Sequence, residues 1–154
     1  MTTTNDPAVK RFLRRSLIAR IATLSPAGNP DIIPLYFVAH GGRIYMGTRR
    51  DNPTVRDLLT RPDVVLLFHA ERAGQPRDVL RVRGRATFST RKRSAVAVYA
   101  RFVWKYWLSW GGLRNTLSNL RKLPVDRRYK SERSANGGLI RVEPGAWEFI
   151  ERPR

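Results

Sequence analysis

Residues 41–68 read GGRIYMGTRRDNPTVRDLLTRPDVVLLF. Gly41-Gly42 is the tight turn of a hairpin, and Arg43 to Thr48 is the strand that leaves it. That strand ends in Thr48, Arg49 and Arg50. Asn52-Pro53 then reads as a helix cap followed by proline at the first helical position. The helix should run to about Thr60, with Arg56 in its first turn. Arg61-Pro62-Asp63 ends it, and Val64 to His69 is the next strand. A hydroxyl, three guanidiniums and a helix N-terminus therefore fall in one short stretch. A helix N-terminus offers N–H groups and partial positive charge. Arginine matches phosphate with paired hydrogen bonds and keeps its charge. The ligand this stretch suits is a small molecule bearing phosphate.

Outward from there, the chain reads as short elements with tight connections. Asp6-Pro7 opens a helix to about Arg15, with Phe12 and Leu13 on its inner side. Leu17 to Leu24 is a strand, and Ser25 to Pro30 is dense in turn formers. Asp31 to Ala39 is a second strand, apolar on both faces and so expected to be buried on both. Pro34 within it lacks a ladder donor and calls for an edge, a bulge or a ligand at that point. Glu71 to Gln75 is a loop, and Asp78 to Phe88 is a strand that sets Arg81, Arg83 and Arg85 on one face. Helices are expected from Arg91 to about Trp107 and from Gly112 to Lys122, the latter with Leu113, Leu117 and Leu120 on one side. Asp126 to Gly138 is polar and basic. Leu139 to Val142 and Ala146 to Ile150 are two last strands, joined by a turn at Glu143-Pro144-Gly145. Short sequential strands with tight turns favour a small antiparallel barrel over a parallel α/β sheet.

The chain of 154 residues suits one domain, 1–154, with 91–138 as a basic helical insert or lid. There is no cysteine, which excludes disulfides, thiolate metal sites and cysteine nucleophiles. No run approaches the roughly 18 apolar residues of a membrane span. The first residues, MTTTNDPAVKRFLRR, lack the apolar core of a secretion signal, so a cytoplasmic location is expected. The net charge is +18, and of 30 basic residues only Lys10, Lys92, Lys105, Lys122 and Lys130 are lysine. Such a surface attracts anions. Residues 91–133 carry +10 of it, and their tryptophans and tyrosines beside basic residues suit either a lid packed on the barrel or contact with an anionic membrane. No nucleic-acid motif is present, so no specific nucleic-acid partner is expected.

The run IATLSPAGNPDIIPLYFVAHGGRIYMGTRRDNPTVRDLLTRPDVVLLF, followed by LRVRGRATF, resembles the pyridoxamine 5′-phosphate oxidase-like family of split β-barrel proteins. The likeness lies in the order of features over about residues 15–90. It implies a mainly β, α+β fold: a split barrel of six to seven antiparallel strands, short helices, and a helical insert before the last strands. It also implies a homodimer holding FMN, a deazaflavin of the coenzyme F-420 type, or less often haem, at the subunit interface. Carried over by position, Pro34, Leu35 and Tyr36 would lie along a flavin ring. Thr48, Arg49 and Arg50 would sit beside its ribityl chain and phosphate, with Thr54, Val55 and Arg56 completing the phosphate site. Thr54 stands where many members have lysine.

The activity so implied is two-electron transfer with a small organic substrate, in which the cofactor performs the redox step. A non-catalytic cofactor or haem carrier on the same fold is the alternative. Tyr36 and Tyr45 are the candidate proton donors. The arginines of the 81–85 strand either meet an anionic group or form a solvated face. His40 and His69, the only histidines, make neither a catalytic triad nor a zinc site.

Overall fold

The computed structural model describes residues 3–69, 79–90, 96–108 and 136–150. The elements in chain order are α1 (Pro7–Arg15), β1 (Ile18–Leu24), β2 (Pro30–His40), β3 (Arg43–Arg49), α2 (Pro53–Thr60), β4 (Asp63–His69), β5 (Val79–Ser89), α3 (Val96–Val103), a π-helical turn (Trp104–Leu108) and β6 (Gly137–Ile150). All strand pairs are antiparallel, and six strands close into a barrel in the order β1-β2-β3-β6-β5-β4. The loop expected at 71–75, the helix expected at 112–122 and most of the stretch 126–138 lie outside the described residues.

Alternation along each strand sends one set of side chains into the barrel. Ile21, Phe37, Ile44, Met46, Leu66, Phe68, Leu80 and Ile140 are all fully buried there. Val9 and Leu13 of α1 join this core, as does Trp147 of β6. The Asp6 carboxylate accepts from the Ala8 N–H at 2.7 Å, so the N-cap read from Asp6-Pro7 is in place.

The barrel is split on one side. β2 pairs with β1 over Pro30–Tyr36 and with β3 over Phe37–His40. Residues 30–36 therefore have β1 alone as a strand neighbour among the described residues. Pro34 sits in that half, so the edge its missing N–H calls for is there. The expectation that this strand is buried on both faces fails in the single chain, because Ile32 is 54% and Tyr36 58% exposed.

The last two strands read from sequence are one strand of 14 residues, β6. It pairs with β3 through Gly137–Val142 and with β5 through Leu139–Ile150. Glu143-Pro144-Gly145 is no turn: it faces β5 where the register shifts between Val82 and Gly84. A bulge absorbs the Pro-Gly pair that reads as a chain reversal. Gly84 permits the close approach, since a Cβ there would stand 2.6 Å from the Glu143 carbonyl oxygen.

On the outside of β2, β3 and β6, Val38 and Leu139 form a second, smaller core with Val98 of α3, joined by Tyr45, Phe102 and Tyr106. α3 thus packs on the barrel, in the part of the basic segment that is described. The end of this helix is pinned by polar contacts. The Tyr106 hydroxyl accepts from the Phe37 N–H at 3.0 Å and has the carbonyl oxygens of Phe37 and Leu17 at 2.7 Å, one of which takes its proton. Lys105 Nζ lies 3.3 Å from the carbonyl oxygens of Leu13 and Phe37 and 3.6 Å from the centre of the Phe37 ring. These contacts fall where the β1–β2 ladder runs out, so side chains of the helix close a strand end whose backbone groups would otherwise be unpaired.

Candidate functional site

A cleft of about 550 Å³ opens where β2 leaves β3. Its floor is the end of the β3–β6 ladder, where Gly47 pairs with Leu139, Thr48 with Gly138 and Arg49 with Gly137. Leu35 of β2 and Tyr99 of α3 form its sides, and Asp51, Asn52 and Pro53 of the β3–α2 turn close one end. Tyr99 is next in sequence to Val98, the buried anchor of α3, so the docking of that helix sets the wall.

The turn at the closed end is tied internally. Arg49 donates from Nε and Nη2 to the two carboxylate oxygens of Asp51, at 2.9 and 2.8 Å. That paired hydrogen bond, helped by the charge of Arg49, holds the Asp51 carboxyl below its ordinary value. Asn52 caps α2: its Oδ1 accepts from the Thr54 N–H at 3.0 Å, while its Nδ2 donates to Thr48 Oγ1 at 3.1 Å. The Val55 N–H donates to the Asn52 carbonyl oxygen at 2.9 Å. Pro53 has no N–H. The first backbone donors of α2, expected to face an anion, are therefore taken by the chain itself.

Of the residues expected at the cofactor, Leu35, Thr48 and Arg49 line the cleft. Pro34 and Tyr36 flank Leu35 on β2 and are exposed, as are Arg50 and Arg56, but none of these four is among the lining residues. Thr54 and Val55 are buried to 1% exposure beneath the start of α2. Among the described residues, the buried Thr54 hydroxyl has no hydrogen-bond partner. Tyr36 packs edge-on against Tyr106 at 4.9 Å, and Tyr45 lies under α3. Neither candidate proton donor lines the cleft, whereas Tyr99 does. The sequence reading passed over Asp51, Tyr99 and the Gly137-Gly138 pair. The glycine pair was legible as two side-chain-free positions at the start of a strand. Tyr99 carried no local signal, because its place depends on how α3 packs.

Two glycines of the floor differ in what surrounds them. A Cβ at Gly138 would stand 2.4 Å from the Phe88 ring and 2.9 Å from the Ser89 carbonyl oxygen, so packing within the chain requires glycine there. A Cβ at Gly47 would meet nothing within 4 Å, and Gly47 lines the cleft. Glycine within a strand weakens it, and one reason to retain it is close approach of a ligand to the backbone.

The remaining candidates fall elsewhere. Arg81 pairs with Glu148 at 2.6 Å and Arg85 with Asp63 at 3.7 Å, both on the outside of the barrel. Two of the three strand arginines are thus in surface ion pairs. Neither histidine lines the cleft. Among the described residues, no three His, Asp or Glu side chains gather as a metal site, and no helix is long and apolar enough to cross a membrane.

Comparison with known proteins bears on this site through the fold. No curated protein matches the chain. Among the solved structures that share its architecture, three are described. One is an F420 reductase, 21% identical, with a TM-score of 0.62, covering 90% of this chain and 94% of that one. A second is a FAD-binding protein from Mesorhizobium loti, 14% identical, TM-score 0.62, covering 94% and 92%. The third is HutZ, the haem storage protein from Vibrio cholerae, 17% identical, TM-score 0.60, covering 97% and 95%. At these identities the likeness establishes the fold. The profile of the pyridoxamine 5′-phosphate oxidase family matches residues 6–151, nearly the whole chain and every strand of the barrel, and the chain belongs to that family.

Proposed function

We propose that the cleft binds FMN or a deazaflavin of the coenzyme F-420 type, and that the protein is an oxidoreductase acting on a small organic substrate. The observation that carries this reading is the bare strand at Gly47, which has room for a ring and ends in Thr48 and Arg49. When bound, the flavin or deazaflavin would supply two-electron chemistry. The protein's part is to hold it. Gly47, Gly137 and Gly138 offer backbone to the ring, Leu35 and Tyr99 bound it, and Thr48 and Arg49 offer donors to its tail. The strand that gives Leu35 to the cleft also exposes the apolar side chains of Ile32 and Tyr36, in its half that has β1 alone as a strand neighbour among the described residues. A second copy seated there would exclude water from the ring, and the working unit of this proposal is a homodimer. The haem reading is weaker, because neither His40 nor His69 reaches the cleft to serve as an axial ligand.

Titration of the purified protein with flavins and with a deazaflavin, followed by absorbance and fluorescence, tests this. Micromolar or tighter binding of at least one, lost in Gly47→Leu, is the expected result. If the wild-type protein leaves every spectrum unchanged, the cofactor reading is wrong. Haem titration separates the alternative, since a Soret shift in the absence of any flavin binding would replace the oxidoreductase with a carrier.

A further inference from the structure

We infer that the outward side of α3 is a docking face for an anionic lipid surface. Val96, Tyr99, Ala100, Val103 and Trp104 recur at the spacing that sets side chains on one side of a helix. All five are exposed, Val96 and Trp104 to 69%. The opposite side of the same helix holds it to the barrel, through Val98, Phe102 and Tyr106. A helix apolar on both sides has two faces to bury, and the barrel covers one of them. The eight residues of α3 reach only about 12 Å, so the contact is with the surface of a bilayer and does not cross it.

Charge in the sequence around this helix decides the occupant. Residues 91–125 contain eight basic side chains and no acidic one, and the whole chain carries +18. A second copy seated on the stripe would bring like charge to like. An anionic surface is the complementary one, and each Lys or Arg near it strengthens binding about fivefold. Arg101, exposed on α3 itself, is one such residue. The polar side-chain atoms of the stripe agree with this. They are the Tyr99 hydroxyl and the Trp104 Nε1, on the two ring types that favour the headgroup level of a bilayer. A protein partner needs a matching shape and a regular supply of hydrogen bonds, whereas a bilayer needs neither. Tyr99 also lines the cleft, so the lipid would lie beside the cleft wall whatever the cleft binds.

The test is co-sedimentation of the full chain with vesicles of phosphatidylcholine alone, or of phosphatidylcholine mixed with phosphatidylserine. Wild type should bind the mixed vesicles, less so as salt rises, and stay in the supernatant with the neutral ones. A protein of +18 meets anionic vesicles through charge alone, so the stripe is read from variants. The double variant Val103→Gln/Trp104→Gln should bind mixed vesicles about tenfold more weakly than wild type. Leu59→Gln removes a side chain that is 77% exposed on α2, away from the stripe, and should bind as wild type does. Trp104→Phe should keep most of the binding while losing part of the quenching of tryptophan fluorescence by brominated lipid. Circular dichroism matching wild type checks that each variant is folded. Absence of binding to mixed vesicles at low salt overturns the inference. So does equal binding by the double variant, which would leave general charge as the cause, or quenching undiminished in Trp104→Phe. A double variant that sediments as a smaller species than wild type without vesicles would assign the face to a second copy instead.

Discussion

Gly138 and Gly47 sit on adjacent strands, yet an added methyl group has opposite consequences at each. At Gly138 it would press on the Phe88 ring and the Ser89 carbonyl. Gly138→Ala should therefore destabilise the protein by about 1–3 kcal/mol, the usual cost of overpacking. At Gly47 it meets open space, so Gly47→Ala should be neutral or stabilising by up to about 1 kcal/mol. Urea denaturation of the pair measures both, and coincident midpoints for wild type and Gly138→Ala would contradict the packing. A third residue-level contact joins β1 to α2. Thr23 Oγ1 donates to the Asp57 carboxylate at 2.9 Å, and both residues are buried. Thr23→Val leaves that carboxylate without its donor and should cost about 1–3 kcal/mol in the same assay. Sequence alone placed Thr48 and Arg49 together at a strand end before a helix start, because that is a local pattern, and both line the cleft. The Arg49–Asp51 pairing was not, since either partner could have turned to water.

Among the elements, α3 is the one whose position the site depends on, and its hold on the barrel is partly polar. Tyr106→Phe removes the hydroxyl that bridges Phe37 and Leu17, leaving the Phe37 N–H and a carbonyl without partners. We expect a loss of about 1–2 kcal/mol. Hydrogen exchange should show it chiefly in α3 amides and around Phe37, while β4 and β5 keep their protection. Equal loosening of the whole barrel would mean that Tyr106 is a core residue and not a local latch. Helix α2 depends on Asn52, and Asn52→Ala should cost about 1 kcal/mol through the lost cap. The caps of α1 and α2 were readable from Asp6-Pro7 and Asn52-Pro53, because capping is decided by neighbours in sequence. The single long β6 was not. Glu143-Pro144-Gly145 has turn composition, and only the paired strand β5, with Gly84 opposite, shows that a bulge accommodates it.

At the scale of the whole molecule, the barrel order and the family assignment agree with the small antiparallel barrel read from the strand sequence. The burial of β2 did not follow: in the single chain, this strand, apolar on both faces, exposes Ile32 and Tyr36. The homodimer proposed above would cover them and should bury on the order of 2,000 Å². Sedimentation at micromolar concentration is expected to give one dimeric species, with Tyr36→Arg shifting it toward monomer. A wild-type monomer at that concentration would remove the shared cofactor site from the proposal. The same measurement with added ligand shows whether cofactor and assembly are linked, since a ligand that binds the dimer alone must also stabilise it.

The half of β2 that has only β1 beside it among the described residues has a bearing on solubility. Seven residues, Pro30–Tyr36, present a strand edge on which a foreign β-segment could grow. Proteins protect such edges with proline, because a missing N–H interrupts the ladder that a newcomer would need. Pro34 stands in the middle of this one. Replacing it with valine would restore a donor and raise β-propensity in an already apolar run, giving a continuous template for cross-chain pairing. The Pro34→Val protein should aggregate faster on warming, with thioflavin-positive material, even where its unfolding midpoint is unchanged. The proline that interrupts this strand would then be what keeps a crowded population of these barrels from stacking edge to edge.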